Sequence, residues 1–300
     1  MPGWGQDVAD VRVGVLGASS LVGGCLLAHL HDAGWQVVAY TRQVVQRVES
    51  SGVRWQTLPS GASCQSVLQA QQGVTPYWIC VAPIWVLPDY FSMIEASGAR
   101  RLVALSSTSR FTKVNSGDMA ENAVAARLIE SEARVQAWAQ EHGIEWVVLR
   151  PTLIYGLGRD KNIGEMVRFI RRFGFFPLLG RAQGLRQPIH AQDVAAACVA
   201  ALQSPDAANR AYNISGGETL IYRDMVTRVF AALGRPPRLV TVPLWVFRLA
   251  VAVLRCLPRY RLWSSAMAER MNRDLVFEHA EAARDLGFKP RGFALAAQDL

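Results

Sequence analysis

Short apolar runs alternate with stretches of helical spacing through the first half of the chain. Val11 to Leu16 is an apolar run closed by Gly17, the pattern of a strand buried on both faces. Val22, Leu26, Leu30 and Ala33 follow at spacings of four or three, which puts them on one face of a helix. Gly34 interrupts that pattern, and Trp35 to Thr41 (WQVVAYT) predicts a second strand. Tyr77 to Val81, Arg101 to Leu105 and Glu145 to Leu149 predict three more. Helix-compatible sequence precedes each, most clearly Glu121 to Glu141, rich in Ala, Glu, Arg and Gln. Strands separated by helices predict an α/β fold, a doubly wound parallel sheet with helices on both faces.

After Pro151 the texture changes. Residues 156–190 are rich in Gly, Arg and Phe, and residues 235–263 carry a Pro-Pro pair and two Trp among Arg-flanked apolar stretches. Asp193 to Leu202 predicts one more helix packed on the sheet. The expected division is therefore a ligand-binding sheet domain over 1–155, with 191–215 returning to it. Residues 156–190 and 216–300 then form a smaller C-terminal substrate domain.

Composition narrows the class. Apolar residues make up 51% of the 300 and charged residues 19%, too apolar for a disordered chain. The longest apolar run, Tyr77 to Pro88, falls short of the roughly 18 residues a spanning helix needs. The opening MPGWGQDVADVRVGV has no basic start followed by an apolar core, so no signal peptide is expected. Cys25, Cys64, Cys80, Cys198 and Cys256 are scattered and never form a CxxC pair. Reduced thiols, a cytoplasmic location and no metal site follow. The formal charge is +8, and all but three of the 32 basic residues are Arg. Without zinc-finger spacing, an RNA-binding motif or a Lys/Arg run, that excess predicts no nucleic-acid partner.

The turn between first strand and first helix carries the chemistry. Gly17, Ser20 and Gly23 stand in a G-x-x-S-x-x-G spacing, with Ser19, Leu21 and Val22 between them. Helix-starting amides lack partners and lie at the positive end of the helix dipole, so such a turn can hold a pyrophosphate. Gly17 allows the tight turn, and Gly23 lets helix and strand approach. The second strand ends in Thr41 and Arg42, where an acidic residue would bind the ribose hydroxyls of NAD. Thr and Arg suit a 2′-phosphate instead, so NADP is expected over NAD.

With VLGASSLVGG, LVALSSTS, GIEWVVLRPTLIYGLG, QPIHAQDVAAA, AYNISGGETLIYRDMV and ARDLGFKPRGF in this order, the chain resembles the extended short-chain dehydrogenase/reductase family of the NAD-dependent epimerase/dehydratase type over nearly its whole length. The resemblance implies a Rossmann-like fold and an oxidoreductase or epimerase acting on a nucleotide-linked sugar or related ketone or alcohol. It places the family's catalytic hydroxyl at Thr108, after Ser106 and Ser107. It puts Pro151 to Ile154 beside the nicotinamide, and Ala82 and Pro83 beside the adenosine. His190 and Asp193 match positions that are structural. Dimers built on helices flanking the sheet are common in the family, which makes a homodimer an expectation.

The sequence departs from the family at its acid/base pair. Ordinary members carry Tyr-x-x-x-Lys on the helix before the sixth strand. With the family's helix acid at Glu132, those two positions fall on Val124 and Leu128, which move no proton. No tyrosine lies between Tyr90 and Tyr155, and Arg127 points about 100° away from the lysine position. Three consequences stay open. A substitute acid/base is supplied by Lys113, Asp118 or Glu121; or Thr108 and water suffice for a ketone reduction; or hydride chemistry is lost and the dinucleotide serves a scaffold or regulatory role.

From Met225 to Ala268 there are seven Arg and no acidic residue: Arg228, Arg235, Arg238, Arg248, Arg255, Arg259 and Arg261. Leu244 to Leu257 is helix-compatible and apolar but for a stripe bearing Arg248 and Arg255. A diphosphate-binding lobe, a peripheral membrane contact through Trp245 and Phe247, and a buried helix with a solvated edge all fit this pattern.

Overall fold

The structure, a computed structural model, describes residues 11–42, 52–58, 73–114, 116–247 and 265–300. A seven-stranded parallel sheet forms its centre. Its strands are β1 (Arg12–Leu16), β2 (Gln36–Thr41), β3 (Val53–Thr57), β4 (Tyr77–Cys80), β5 (Arg101–Leu105), β6 (Glu145–Pro151) and a late strand, Arg210–Ile214. The order across the sheet is the late strand, β6, β5, β4, β1, β2, β3. The chain thus winds outward from β1 in one direction and from β4 in the other, and the reversal lies between these two strands.

Five of these strands are the ones the apolar runs predict. The sequence reading missed β3 and the late strand. Both are edge strands of mixed polarity, VRWQT and RAYNI, and an edge strand needs no continuous apolar run.

Helices cover both faces. On one side α1 (Leu21–Asp32) packs beside the helix Ala191–Gln203, joining Leu26, Leu30, Val194 and Ala201 with Val13, Val37 and Val147 of the sheet. On the other, α2 (Phe91–Ala96) and the long α4 (Met119–Glu141) bury Ile94, Leu128, Val135 and Ala139 against Leu16, Trp78 and Val148; the short α3 (Ser109–Thr112) lies between them in the chain. Asp118 caps α4 by accepting from the Ala120 amide.

A third core forms the smaller lobe. It gathers Ile163, Val167 and Ile170 of α5 (Ile163–Phe173) with Leu178, Val229 and Phe230, the last two from a helix at Tyr222–Ala232. The expected assignment of all of 216–300 to this lobe meets one difference. Ala282, Leu286 and Phe288 pack into the sheet core with Cys198 and Tyr212 instead.

Arg101 ties the helix Ala191–Gln203 to the sheet. Its side chain is 1% exposed on β5 and reaches Glu145 on β6. It also donates to the carbonyls of Ala201, Leu202 and Ser204 at the end of that helix, where intrahelical donors run out. Arg101→Met removes these donors while keeping much of the volume. The expected outcome in urea unfolding is a loss of about 3 kcal/mol or more.

Candidate functional site

The site residues predicted from sequence come together on one edge. Gly17 to Gly23 follow β1, Arg42 follows β2, Ala82 and Pro83 follow β4, Ser106 to Thr108 follow β5, and Pro151 to Ile154 lie at the end of β6. All are carboxyl ends of parallel strands, centred on the reversal between β1 and β4 where such sheets bind ligands.

The first turn is built for close approach. Gly17 has φ +83°, and a Cβ there would lie 2.5 Å from the Ala82 amide nitrogen. A Cβ on Gly23 would meet the carbonyl oxygens of Gly17 and Ala18 at 2.5 Å. Ser20 caps α1: its amide donates to Gly17 O, and its hydroxyl accepts from the Gly23 amide at 3.0 Å. The middle glycine of the usual spacing is thus replaced by a capping residue, and the helix start survives. Leu21 and Val22 present the first two helix amides, and no acidic side chain stands in that turn. The concave turn, with no room for a Cβ, fits the diphosphate of a nicotinamide dinucleotide. Thr41 is 4% exposed inside the sheet, and Arg42 is the exposed group at the β2 end among the described residues.

Thr108 is 6% exposed. Its amide and hydroxyl both donate to the Pro151 carbonyl at 3.1 Å, tying the β5 loop to the end of β6. Among the described residues no titratable side chain hydrogen-bonds to it. Val124 and Leu128 pack into the core of that face.

Glu132, two turns beyond Val124 on the same face of α4, holds the floor together. Its carboxylate is 1% exposed and accepts from the Ser106 hydroxyl at 2.5 Å. Arg150 binds it through Nε at 3.1 Å and Nη2 at 2.7 Å, and Arg110 forms a further ion pair. Both guanidiniums also lie over the Phe111 ring. The sequence reading located Glu132 but missed its two cations, which come from 22 and 18 residues away with no local signal.

The candidate substitute acids and bases are mostly committed. Asp118 is the helix cap, and Glu121 accepts from Ser116 and pairs with Arg270. Lys113 lines a small groove with Thr112, Ser116, Glu121, Arg273 and Leu275, and makes no side-chain ion pair among the described residues. The predicted structural residues do pack as such: His190 pairs with buried Asp299, and Asp193 with Arg291.

The basic C-terminal lobe is in part structural. Arg228 forks onto Glu218, and Arg235 donates to the carbonyls of Ile170 and Arg171, so neither is presented to a diphosphate. Arg248, Arg255, Arg259 and Arg261 lie outside the described residues, as do most of the expected helix at 244–257, Cys64 and Cys256. Trp245 is exposed and Phe247 buried. No helix among the described residues is long and apolar enough to cross a membrane.

Comparison with known proteins places this geometry among relatives. Residues 89–215 match the NAD dependent epimerase/dehydratase family. A UDP-glucose 4-epimerase of Vibrio cholerae is 25% identical over 174 residues, 56% of this chain and 51% of that protein. The chain thus spans about half the length of that relative. A 2-alkyl-3-oxoalkanoate reductase of Stenotrophomonas maltophilia is 26% identical over 317 residues, 94% of this chain and 95% of that one. The structure of a UDP-glucuronic acid 4-epimerase of Bacillus cereus in complex with NAD superposes with a TM-score of 0.70 at 13% identity, covering 96% of this chain and 95% of that one.

The Glu132 cluster generates a sharp expectation. Glu132→Gln leaves Arg110 and Arg150 facing each other without their anion. Breaking a buried pair from one side costs about 3–5 kcal/mol, so chemical unfolding should show a loss of that order. A loss within about 0.5 kcal/mol, the size of an ordinary surface substitution, would mean that the cluster does not brace the site.

Proposed function

We propose that the chain is an NADP-binding oxidoreductase or epimerase-like protein acting on a nucleotide-linked sugar or a related ketone or alcohol, a reading supported by the match of residues 89–215 to the NAD dependent epimerase/dehydratase family. The observation that carries this reading is the Gly17–Gly23 turn, whose free helix amides lie beside the β4 end with a basic residue, Arg42, at the end of β2. When bound there, the dinucleotide supplies the hydride acceptor and donor.

The chain's own residues have separable tasks. Leu21 and Val22 amides bind the diphosphate, and Arg42 pairs with the 2′-phosphate. Pro151 to Ile154 shape the nicotinamide side. Thr108, whose hydroxyl proton is directed at Pro151 O, keeps its lone pairs for a substrate hydroxyl or water. Water then completes the proton transfer that Val124 and Leu128 cannot make. The nucleotide-sugar relatives support the first substrate class, and the full-length reductase relative supports the second. The second reading, a silent dinucleotide-binding protein with a scaffold role, is favoured by one fact: no titratable side chain among those described hydrogen-bonds to Thr108.

Two outcomes test this. Arg42→Ala should weaken NADPH about tenfold or more in a fluorescence titration while leaving NADH nearly unchanged, since it removes one charge-assisted contact. Equal loss for both refutes the 2′-phosphate assignment. With NADPH bound, a panel of nucleotide sugars and 3-oxo acids should give turnover, and Thr108→Ala should lower it roughly 10- to 100-fold at unchanged NADPH affinity. Unchanged turnover would remove Thr108 from the mechanism, and no turnover on the whole panel would favour the silent reading.

A further inference from the structure

Arg159 sits in the Gly156–Asp160 loop, which reaches from the smaller lobe to the phosphate turn. Its Nη2 donates to the Ser19 carbonyl at 3.3 Å, and its Nη1 stands 3.9 Å from where a Gly24 Cβ would be. The side chain is exposed and forms no ion pair with a carboxylate among the described residues. One long bond to a carbonyl leaves most of the five guanidinium donors unspent. They stand beside helix amides that attract anions, in a turn with no acidic side chain. The charge is felt locally: burial raises the Cys25 thiol on α1, and Arg159 opposes that rise.

The loop that carries this arginine is held firmly. Asp160 accepts from the amides of Gly156, Asn162 and Gly164. Buried Asp299 accepts from the Leu157 amide at 3.0 Å and pairs with His190 at 3.1 Å. Gly156 has φ +131° and lies so close to His190 that a Cβ would fall 2.7 Å from its Nε2. With the loop fixed, only the Arg159 side chain has to be ordered when it meets a phosphate, and its planar fork limits that cost.

We propose that Arg159 is a diphosphate clamp: its guanidinium exchanges the Ser19 carbonyl for the pyrophosphate of a dinucleotide seated at the α1 start, so that the cofactor is gripped from both lobes. This rests on the dinucleotide reading of the Gly17–Gly23 turn and adds to it a residue outside the glycine motif.

The test is a titration of wild type, Arg159→Ala, Arg159→Lys and Arg42→Ala with NADPH and NADH, followed by nicotinamide fluorescence, with thermal melts to check folding. Because Arg159 is exposed, the melts should coincide. Arg159→Ala should weaken NADPH and NADH by the same factor, roughly 10- to 100-fold for a forked charge-assisted contact. Arg159→Lys should recover part of that loss, since it keeps the charge and loses the fork. Unchanged affinity in Arg159→Ala, with wild type binding normally, overturns the clamp and leaves the dinucleotide reading intact. Loss confined to NADPH also overturns it, by moving the contact to the 2′-phosphate. Failure of wild type to bind either nucleotide overturns both.

Discussion

A carboxylate almost wholly removed from water can stay charged only if other groups replace its hydration. Glu132 imposes that demand on the middle of the molecule. It is met by a hydroxyl from the end of β5, a guanidinium from α3 and another from the end of β6. The β5–α3 connection, α4 and the end of β6 are therefore locked at one point, beneath the loops that carry Ser106 to Thr108 and Pro151 to Ile154. Thr108 continues the lock by donating twice to the Pro151 carbonyl. On the same helix face, Val124 and Leu128 face the hydrophobic core rather than a reacting group. The face of α4 that in the resembled family reaches the chemistry here braces the floor of the site.

The basic excess of the chain has a similar explanation. Arg101, Arg110, Arg150, Arg228 and Arg235 are spent on carboxylates and on carbonyls at helix ends. A charge of +8 is thus compatible with no polyanionic partner at all. What matters for ligand binding is the placement of Arg42 and Arg159 on the edge where the helix amides of α1 already favour an anion. In the proposed complex their charges would add to the helix dipole.

Most of the sheet was legible because buried parallel strands must be apolar on both faces, and five of the seven announce themselves as runs. The β3 strand did not, since Arg54 and Thr57 are exposed at the sheet edge. The two-residue strands that follow β6 carry no periodicity for a window to find. The phosphate turn was legible because glycine is required where no Cβ fits, and Gly17 and Gly23 mark those places. The partners of Glu132 were not, because a buried ion pair depends on tertiary proximity rather than spacing. Arg159 was hidden for the same reason: within GLGRD its charge looks like any loop arginine, and only the fold brings it over Ser19.

The α4 helix carries neither tyrosine nor lysine, and that bears unequally on the reactions proposed for this chain. Epimerisation requires a base that takes a proton from an alcohol and then returns one, in a single closed cycle. Val124 and Leu128 offer no such group, and Thr108 directs its own proton to a backbone carbonyl. Reduction of a ketone asks for less, because a proton need only be delivered once, the step proposed above for Thr108 and water. The committed state of Asp118 and Glu121 points the same way, since neither is at liberty to act as a base without breaking a cap or an ion pair. On the proposed reading, a site that offers one hydroxyl and no such base suits a single hydride transfer better than an epimerisation, which needs two. That distinction follows from the residues on α4 and at the end of β5, whatever the substrate.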